Sequence, residues 1–177
     1  LTGMVYPVTV TAFAQLLFSH KANGSIVERN GKVIGSSLIG QSFMKQEYFW
    51  GRPSATTPPY NAAASGASNL SPANMNLRAV MKDRIDFLKK HHADNEQLIP
   101  VDLITSSASG LDPHISVTAA QWQAERIAKH RKMKIEDVLL FIQNHSEDSL
   151  LGVVGQPRVN VLRLNMALDE LREEKAK

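Results

Sequence analysis

The sequence predicts an α+β chain in which one apolar N-terminal helix precedes a single globular domain of a β-hairpin, short strands and three to four helices. Three observations carry that prediction. Leu1 to Ser19 holds no charged residue, and charge begins at Lys21. Asn30-Gly31 separates two short apolar runs. From Ser71 onward, capping residues precede apolar residues set at helical spacing.

The N-terminal run is read as a transmembrane helix over residues 1–20, followed by a globular domain over 21–177. A helix needs roughly 20 apolar residues to cross the hydrocarbon core, and Leu1 to Phe18 comes close to that. Pro7, the threonines and Gln15 dilute the run, but such residues are tolerated where neighbouring helices satisfy the freed polar groups. The face with Thr2, Thr9 and Ala12 suits close helix packing. Because the chain opens at Leu, the expectation is that the native start lies upstream and lengthens the span. A secretory apolar region, of about 7 to 15 residues, and a buried helix of a soluble protein are the competing readings.

Next, Ser25 to Gly35 is expected to form a hairpin, since Asn-Gly accepts the positive φ of a type I′ turn. The apolar residues Leu38, Ile39, Phe43, Phe49 and Trp50 follow without a clean period, which suggests a strand or turn and then an aromatic cluster in the core. Residues 51–74 are rich in Pro, Ser, Ala, Thr and Asn and carry one charge, Arg52. A loop of that length is usually functional or disordered, and its low charge predicts that it packs against something.

Ser71-Pro72 predicts a helix start, with Leu77, Met81, Ile85 and Leu88 on one face of a helix reaching about His92. Leu98 to Ile104 contains Pro100 and reads as an edge strand. Ser116 or Thr118 is expected to cap a second helix through Arg131, and residues 134–145 form a third. Val159 to Leu164 reads as a strand leading into a final helix, whose tail, Glu173 to Lys177, is a solvated charged end.

Composition narrows the function classes. A net charge of +3 arises from a modest Lys/Arg excess with no basic block, so nucleic acid is not an expected partner. The absence of cysteine excludes disulfides, thiolate zinc sites and thiol nucleophiles. His91-His92, His130 and His145 lack metal-ligand spacing, so no metal is expected. Ser107, Asp112 and His114 are the ingredients of a hydrolase, but a triad is a matter of geometry and no Gly-x-Ser-x-Gly elbow is present.

Five segments are more particular: Gly35-Ser-Ser-Leu-Ile-Gly-Gln41, Tyr48-Phe-Trp-Gly-Arg-Pro-Ser-Ala55, Ser65-Gly-Ala-Ser-Asn-Leu70, Ser107-Ala-Ser-Gly-Leu-Asp-Pro-His-Ile-Ser116 and Gln156-Pro-Arg-Val-Asn-Val-Leu-Arg-Leu-Asn165. In order and spacing, together with Tyr6-Pro7, the chain resembles the C subunit of the bacterial Kdp potassium-transporting ATPase. The resemblance implies a single-pass inner-membrane protein with a periplasmic domain and no hydrolytic site of its own. Its implied partners are a channel-like potassium-binding subunit, a P-type ATPase subunit and a small membrane subunit. The implied role is assembly of the complex and catalytic chaperoning that raises the ATP affinity of the ATPase subunit.

The resemblance also implies a nucleotide contact at a glutamine matching Gln123, near Ser107, Ser109 and Gly110. No cofactor is expected to be tightly bound, and ATP is expected to act through the ATPase subunit, because the chain has no phosphate loop of the Gly-x-x-x-x-Gly-Lys-Ser/Thr kind. Candidate partner or ion contacts are Arg52, Ser65, Asn69, Asp112, Arg158 and Asn160. The oxygens of residues 51–74 and 106–116 either offer ligands to a hard cation such as potassium or simply cap helices and turns. Arg52 and Arg158 suit fixed salt bridges or partner contacts. The alternatives are a membrane-anchored periplasmic ligand-binding protein and a membrane-anchored hydrolase.

Overall fold

The computed structural model describes residues 1–93, 95–148 and 155–175, and the chain divides into two compact units, residues 1–39 and 40–177. In the first unit, helix α1 (Val5–Ala22) forms where the apolar run predicts it. Pro7 lies in its first turn, where the missing N–H has no intrahelical acceptor to lose. None of its residues is buried, and Phe18 interrupts the helical dihedrals near its end. Among the described residues no helix is long and apolar enough to cross a membrane. Thr9, Thr11, Gln15, Ser19, His20 and Lys21 are what dilute this one.

Strands β1 (Ile26–Arg29) and β2 (Lys32–Ser36) then pair antiparallel. Asn30 and Gly31 take φ of 52° and 73°, as the hairpin reading requires. The Ser36 hydroxyl donates to the Gly24 carbonyl at 2.6 Å and ties the hairpin base together.

In the second unit, helix α2 (Met75–His91) starts later than Ser71-Pro72 predicts. Asn74 is the cap, its side-chain oxygen accepting from the Asn76 N–H at 2.8 Å, while the Ser71 hydroxyl accepts from Ala73 N–H in a preceding turn. Of the expected face, Leu88 is fully buried, and Leu77, Met81 and Ile85 are half-buried. The expected edge strand at 98–104 is instead a 3-10 turn over Val101–Leu103, entered from Pro100. It places Leu103 in the core.

Strand β3 (His114–Ser116) leads into α3 (Val117–Trp122), and the Ser116 hydroxyl caps it by accepting from Ala119 N–H at 3.0 Å. The single helix expected through Arg131 is two, because Gln123 turns the chain between α3 and α4 (Ala124–Arg131). Helix α5 (Ile135–Asn144) matches its prediction, and β4 (Ser146–Glu147) follows it. The strand predicted over 159–164 shrinks to β5 (Arg158–Asn160), since Asn160 caps α6 (Val161–Lys175) through the Arg163 N–H at 3.1 Å. Residues 176–177 of the charged tail lie outside the described residues.

Strands β3, β5 and β4 form an antiparallel sheet in that order. The core of the unit includes Ile115 and Val159 from this sheet, Ile127, Ile142 and Leu164 from the helices, and Phe49 and Trp50 from a segment in neither class. The aromatic pair is thus core, as expected.

The long loop is ordered by its own hydroxyls and by the segment 107–112. Ser54 Oγ donates to the Gly110 carbonyl at 2.7 Å and accepts from Tyr60 N–H at 2.8 Å. The Ser109 carbonyl accepts from Gly66 N–H at 2.8 Å and from the Ser65 hydroxyl at 3.1 Å. Gly110 has φ +68°, and a Cβ there would lie 2.7 Å from the Gly66 carbonyl oxygen and 2.8 Å from the Thr56 methyl. We expect Gly110→Ala to cost about 3 kcal/mol through strain and displacement of the loop, read as a lowered urea midpoint.

Candidate functional site

Residues 46–52 run through the protein without a sheet partner, and buried backbone groups must still find hydrogen bonds. Side chains supply them. Arg126 Nη1 donates to the carbonyls of Gln46 and, at 2.9 Å, Tyr48. Arg131 Nε donates to the Glu47 carbonyl at 2.7 Å. Asn165 acts like a one-residue strand: its oxygen accepts from Phe49 N–H at 2.8 Å and its NH2 donates to the Phe49 carbonyl at 2.9 Å. Gln123 does the same for Trp50, at 2.8 and 3.0 Å. Beyond it, the Tyr60 hydroxyl donates to the Arg52 carbonyl.

Arg126 organises the interior of this arrangement. Its guanidinium lies 4.0 Å from the Trp50 ring centroid, with Nη2 donating to Gln123 Oε1 at 2.8 Å and Nε to His92 Nε2 at 2.9 Å. Among the described residues it has no carboxylate partner. Burial pulls its pKa down to about 9, so it stays charged at neutral pH. Burial likewise lowers His92, to about 4, with the positive charge of Arg126 adding to the effect. That neutral state fits the bonding. His92 Nδ1 faces the Leu88 carbonyl at 2.9 Å and must donate, which leaves Nε2 as the acceptor that Arg126 needs.

Arg131 is anchored separately. It donates to the Leu168 carbonyl at 2.9 Å and pairs with Asp169 at 2.8 Å, whose other oxygen accepts from the Tyr48 hydroxyl at 2.9 Å.

The candidate residues named from sequence do not fall in one place. Arg52 and Asp112 meet at 3.0 Å, beside the paired segments that contain Ser65 and Ser107, Ser109 and Gly110. Burial pushes the Asp112 pKa up, but hydrogen bonds from His114 and the Arg52 guanidinium outweigh it and hold the carboxyl below its usual range. From Asp112 a chain of polar contacts runs along the sheet: His114 lies 3.6 Å from Asp112 and 3.8 Å from Glu147, and Glu147 pairs with Arg158 at 3.2 Å. Asn69 is exposed with φ 52°, and Asn160 is buried as the α6 cap.

Gln123 lies elsewhere, fully buried behind Trp50. Its amide hydrogens go to the Trp50 and Ala119 carbonyls, and its oxygen accepts from Trp50 N–H and Arg126. The Ser-Gly segment is also internally bonded, since Gly110 N–H donates to Ser107 Oγ at 3.0 Å and Leu111 N–H to Ser109 Oγ at 3.1 Å. In this arrangement neither Gln123 nor those amides point at a ligand. Ser107, Asp112 and His114 form no nucleophile–base–acid relay: His114 contacts Asp112, while Ser107 Oγ contacts Ser109.

Arg126, His92 and Asn165 were not legible as partners of this segment. One signal was available. Gln123 and Arg126 follow Ala119 and Ala120 at helical spacing and share their buried face with Ile127, so a polar pair interrupts an apolar stripe.

Comparison with known proteins supplies the remaining finding. The family model described as K+-transporting ATPase, c chain, matches residues 1–170. A potassium-transporting ATPase KdpC subunit from Burkholderia mallei (strain SAVP1) is 53% identical over 169 residues, covering 95% of this chain and 88% of the relative. The subunit of the same name from Burkholderia pseudomallei (strain K96243) gives the same values. That from Paraburkholderia phytofirmans is 53% identical over 172 residues, covering 97% and 90%.

Proposed function

The chain belongs to the KdpC family, the c chain of the K+-transporting ATPase, and on that premise we propose that it is a non-catalytic accessory subunit of the ATP-driven pump. It holds a channel-like potassium-binding subunit and a P-type ATPase subunit together, with a small membrane subunit in the same complex. It raises the ATP affinity of the ATPase subunit without binding the nucleotide itself. The observation that carries the indirect route is the burial of Gln123 with its amide committed to Trp50, Ala119 and Arg126.

Helix α1 supports membrane attachment in the bacterial inner membrane. Its exposed apolar residues, Val5, Val8, Phe13, Leu16 and Leu17 among them, lie on every side, and it buries none of them within the described chain. A helix apolar all round is covered by lipid or other helices. Its 18 residues rise about 27 Å, so partner helices would have to satisfy Thr9, Thr11 and Gln15. The main domain then stands on the periplasmic side, with Arg52, Ser65, Asn69 and Asp112 toward the channel-like subunit and Arg158 at the other end of the chain of polar contacts.

Affinity purification of the full-length tagged protein from potassium-starved bacteria in mild detergent tests this reading. Recovery of a channel-like subunit and a P-type ATPase is expected, and recovery of the chain alone would move the weight to a membrane-anchored ligand-binding protein. Within the assembled pump, Asp112→Asn is expected to raise the KM for potassium, because it removes the charge that fixes Arg52 and His114 on this face. An unchanged KM would take the face out of the ion path.

A further inference from the structure

Arg84 of α2 is held by carbonyls alone. Its Nε donates to the Leu103 carbonyl at 3.0 Å and its Nη2 to the Gly51 carbonyl at 3.4 Å, while the guanidinium carbon lies 5.1 Å from the Phe87 ring centroid. Among the described residues Nη1 makes no hydrogen bond, and no carboxylate pairs with the side chain. Burial lowers the Arg84 pKa, with the Tyr60 phenol acting against it. The charge of Arg52 is matched by Asp112, yet its Nε is buried without a hydrogen-bond partner among the described residues.

Both arginines line a cavity of about 160 Å³, walled by Phe43, Trp50, Pro53 and Tyr60. Among the described residues no acidic one lines it. With Asp112 matched to Arg52, the positive charge of Arg84 stays unbalanced at the cavity, and a cation taken out of water without a counter-ion is costly. A guanidinium fork fits the planar oxygens of a carboxylate. The small volume and aromatic walls suit an apolar stem behind that group, and one excess charge suits a monoanion better than a doubly charged phosphate.

We propose that Arg84, with Arg52 beside it, forms a binding pocket for a single carboxylate on a short apolar stem. Arg84 Nη1 and Arg52 Nε are the open donors for its oxygens, and Phe43 and Trp50 cover the stem. The carboxylate comes either from a small free acid or from an acidic side chain of a partner subunit. The pocket lies wholly within the second unit, so its chemistry is independent of the partners proposed above.

The test is titration of the full-length chain in mild detergent with sodium propionate at constant ionic strength, followed by tryptophan fluorescence because Trp50 lines the cavity. Propionamide is the neutral control. A saturable change with a midpoint on the order of 1–10 mM is expected with propionate, and none with propionamide. Arg84→Gln is expected to weaken binding about ten-fold. Ser42→Glu, at an exposed position lining the cavity, places a tethered carboxylate there and is expected to abolish the response at an unchanged urea midpoint, so the outcome does not depend on Arg84→Gln folding.

The same titration of the assembled pump separates the two sources. A retained response assigns the pocket to a free acid, and a response present in the isolated chain but lost on assembly assigns it to a partner's side chain. Failure of the subunit reading leaves the isolated-chain result untouched. The pocket is overturned by the absence of a saturable change in the isolated chain, by an equal change with propionamide, or by wild-type binding in folded Arg84→Gln or in Ser42→Glu.

Discussion

Arg126→Ala is expected to cost the domain about 4 kcal/mol, or to leave it unfolded. Removing a guanidinium that makes four interior hydrogen bonds strands the carbonyls of Gln46 and Tyr48 and His92 Nε2, and leaves Gln123 Oε1 with Trp50 N–H alone. A buried acceptor left without its donor costs about 1–3 kcal/mol, and the stacking on Trp50 is lost as well. Against a total stability of roughly 5–15 kcal/mol, this is the single substitution with the greatest expected effect. Arg126→Lys should recover only part of the loss, because an ammonium cannot reproduce the fork. Urea unfolding of the full chain, followed by tryptophan fluorescence, measures both.

Acid should act on the same cluster. Folded His92 titrates at about 4, against roughly 6.5 in the unfolded chain. Its folded pKa is depressed, so above pH 6.5 both states are neutral and the stability is complete. Between about pH 6.5 and 4 the unfolded chain takes up a proton that the folded chain refuses, and stability falls with pH. The expected loss is on the order of 3 kcal/mol across that window.

Burial dominates the shift; the Leu88 carbonyl favours the charged form, while Arg126 on α4 and His91 and Arg84 on the preceding helix disfavour it, and the α3 face presents the Trp122 ring at 4.2 Å. His91 is also lowered, by burial first and then by Lys90 and Arg126, and adds in the same direction. Asp112, held below its usual range, loses its contribution only at lower pH. Stability measured from pH 7 to 4 should therefore decline before the carboxylates titrate. His92→Gln, which offers an acceptor without titrating, should flatten that decline, and an unchanged decline would reject the assignment.

These effects explain why some of the fold was legible and some was not. The hairpin was readable because Asn30-Gly31 determines its own turn, and α5 because its apolar spacing matches its packing. The break at Gln123 was hidden, since nothing in the local sequence of residues 117–131 opposes a continuous helix. At the break the Gln123 side chain is committed to Trp50, 73 residues away, and to the Ala119 carbonyl. Asn160 and Asn74 shifted helix starts for a related reason, as capping geometry chose between several plausible polar residues.

The aperiodic run ending at Trp50 was recognisable as core but not as a segment held by side chains. Its hydrogen-bond partners are scattered over the α3–α4 junction, α4 and α6. The candidate site divided in the same way. Arg52 and Asp112 could be named from their setting and do meet, whereas Gln123, named through family resemblance, proved to be an interior residue with its bonding committed.

The most direct measurement is ATP titration of potassium-stimulated hydrolysis in pump reconstituted with and without this chain. The accessory-subunit account predicts that omitting the chain raises the KM for ATP and weakens potassium uptake, with activity restored on adding it back. The same ATP dependence and uptake with and without the chain would contradict it.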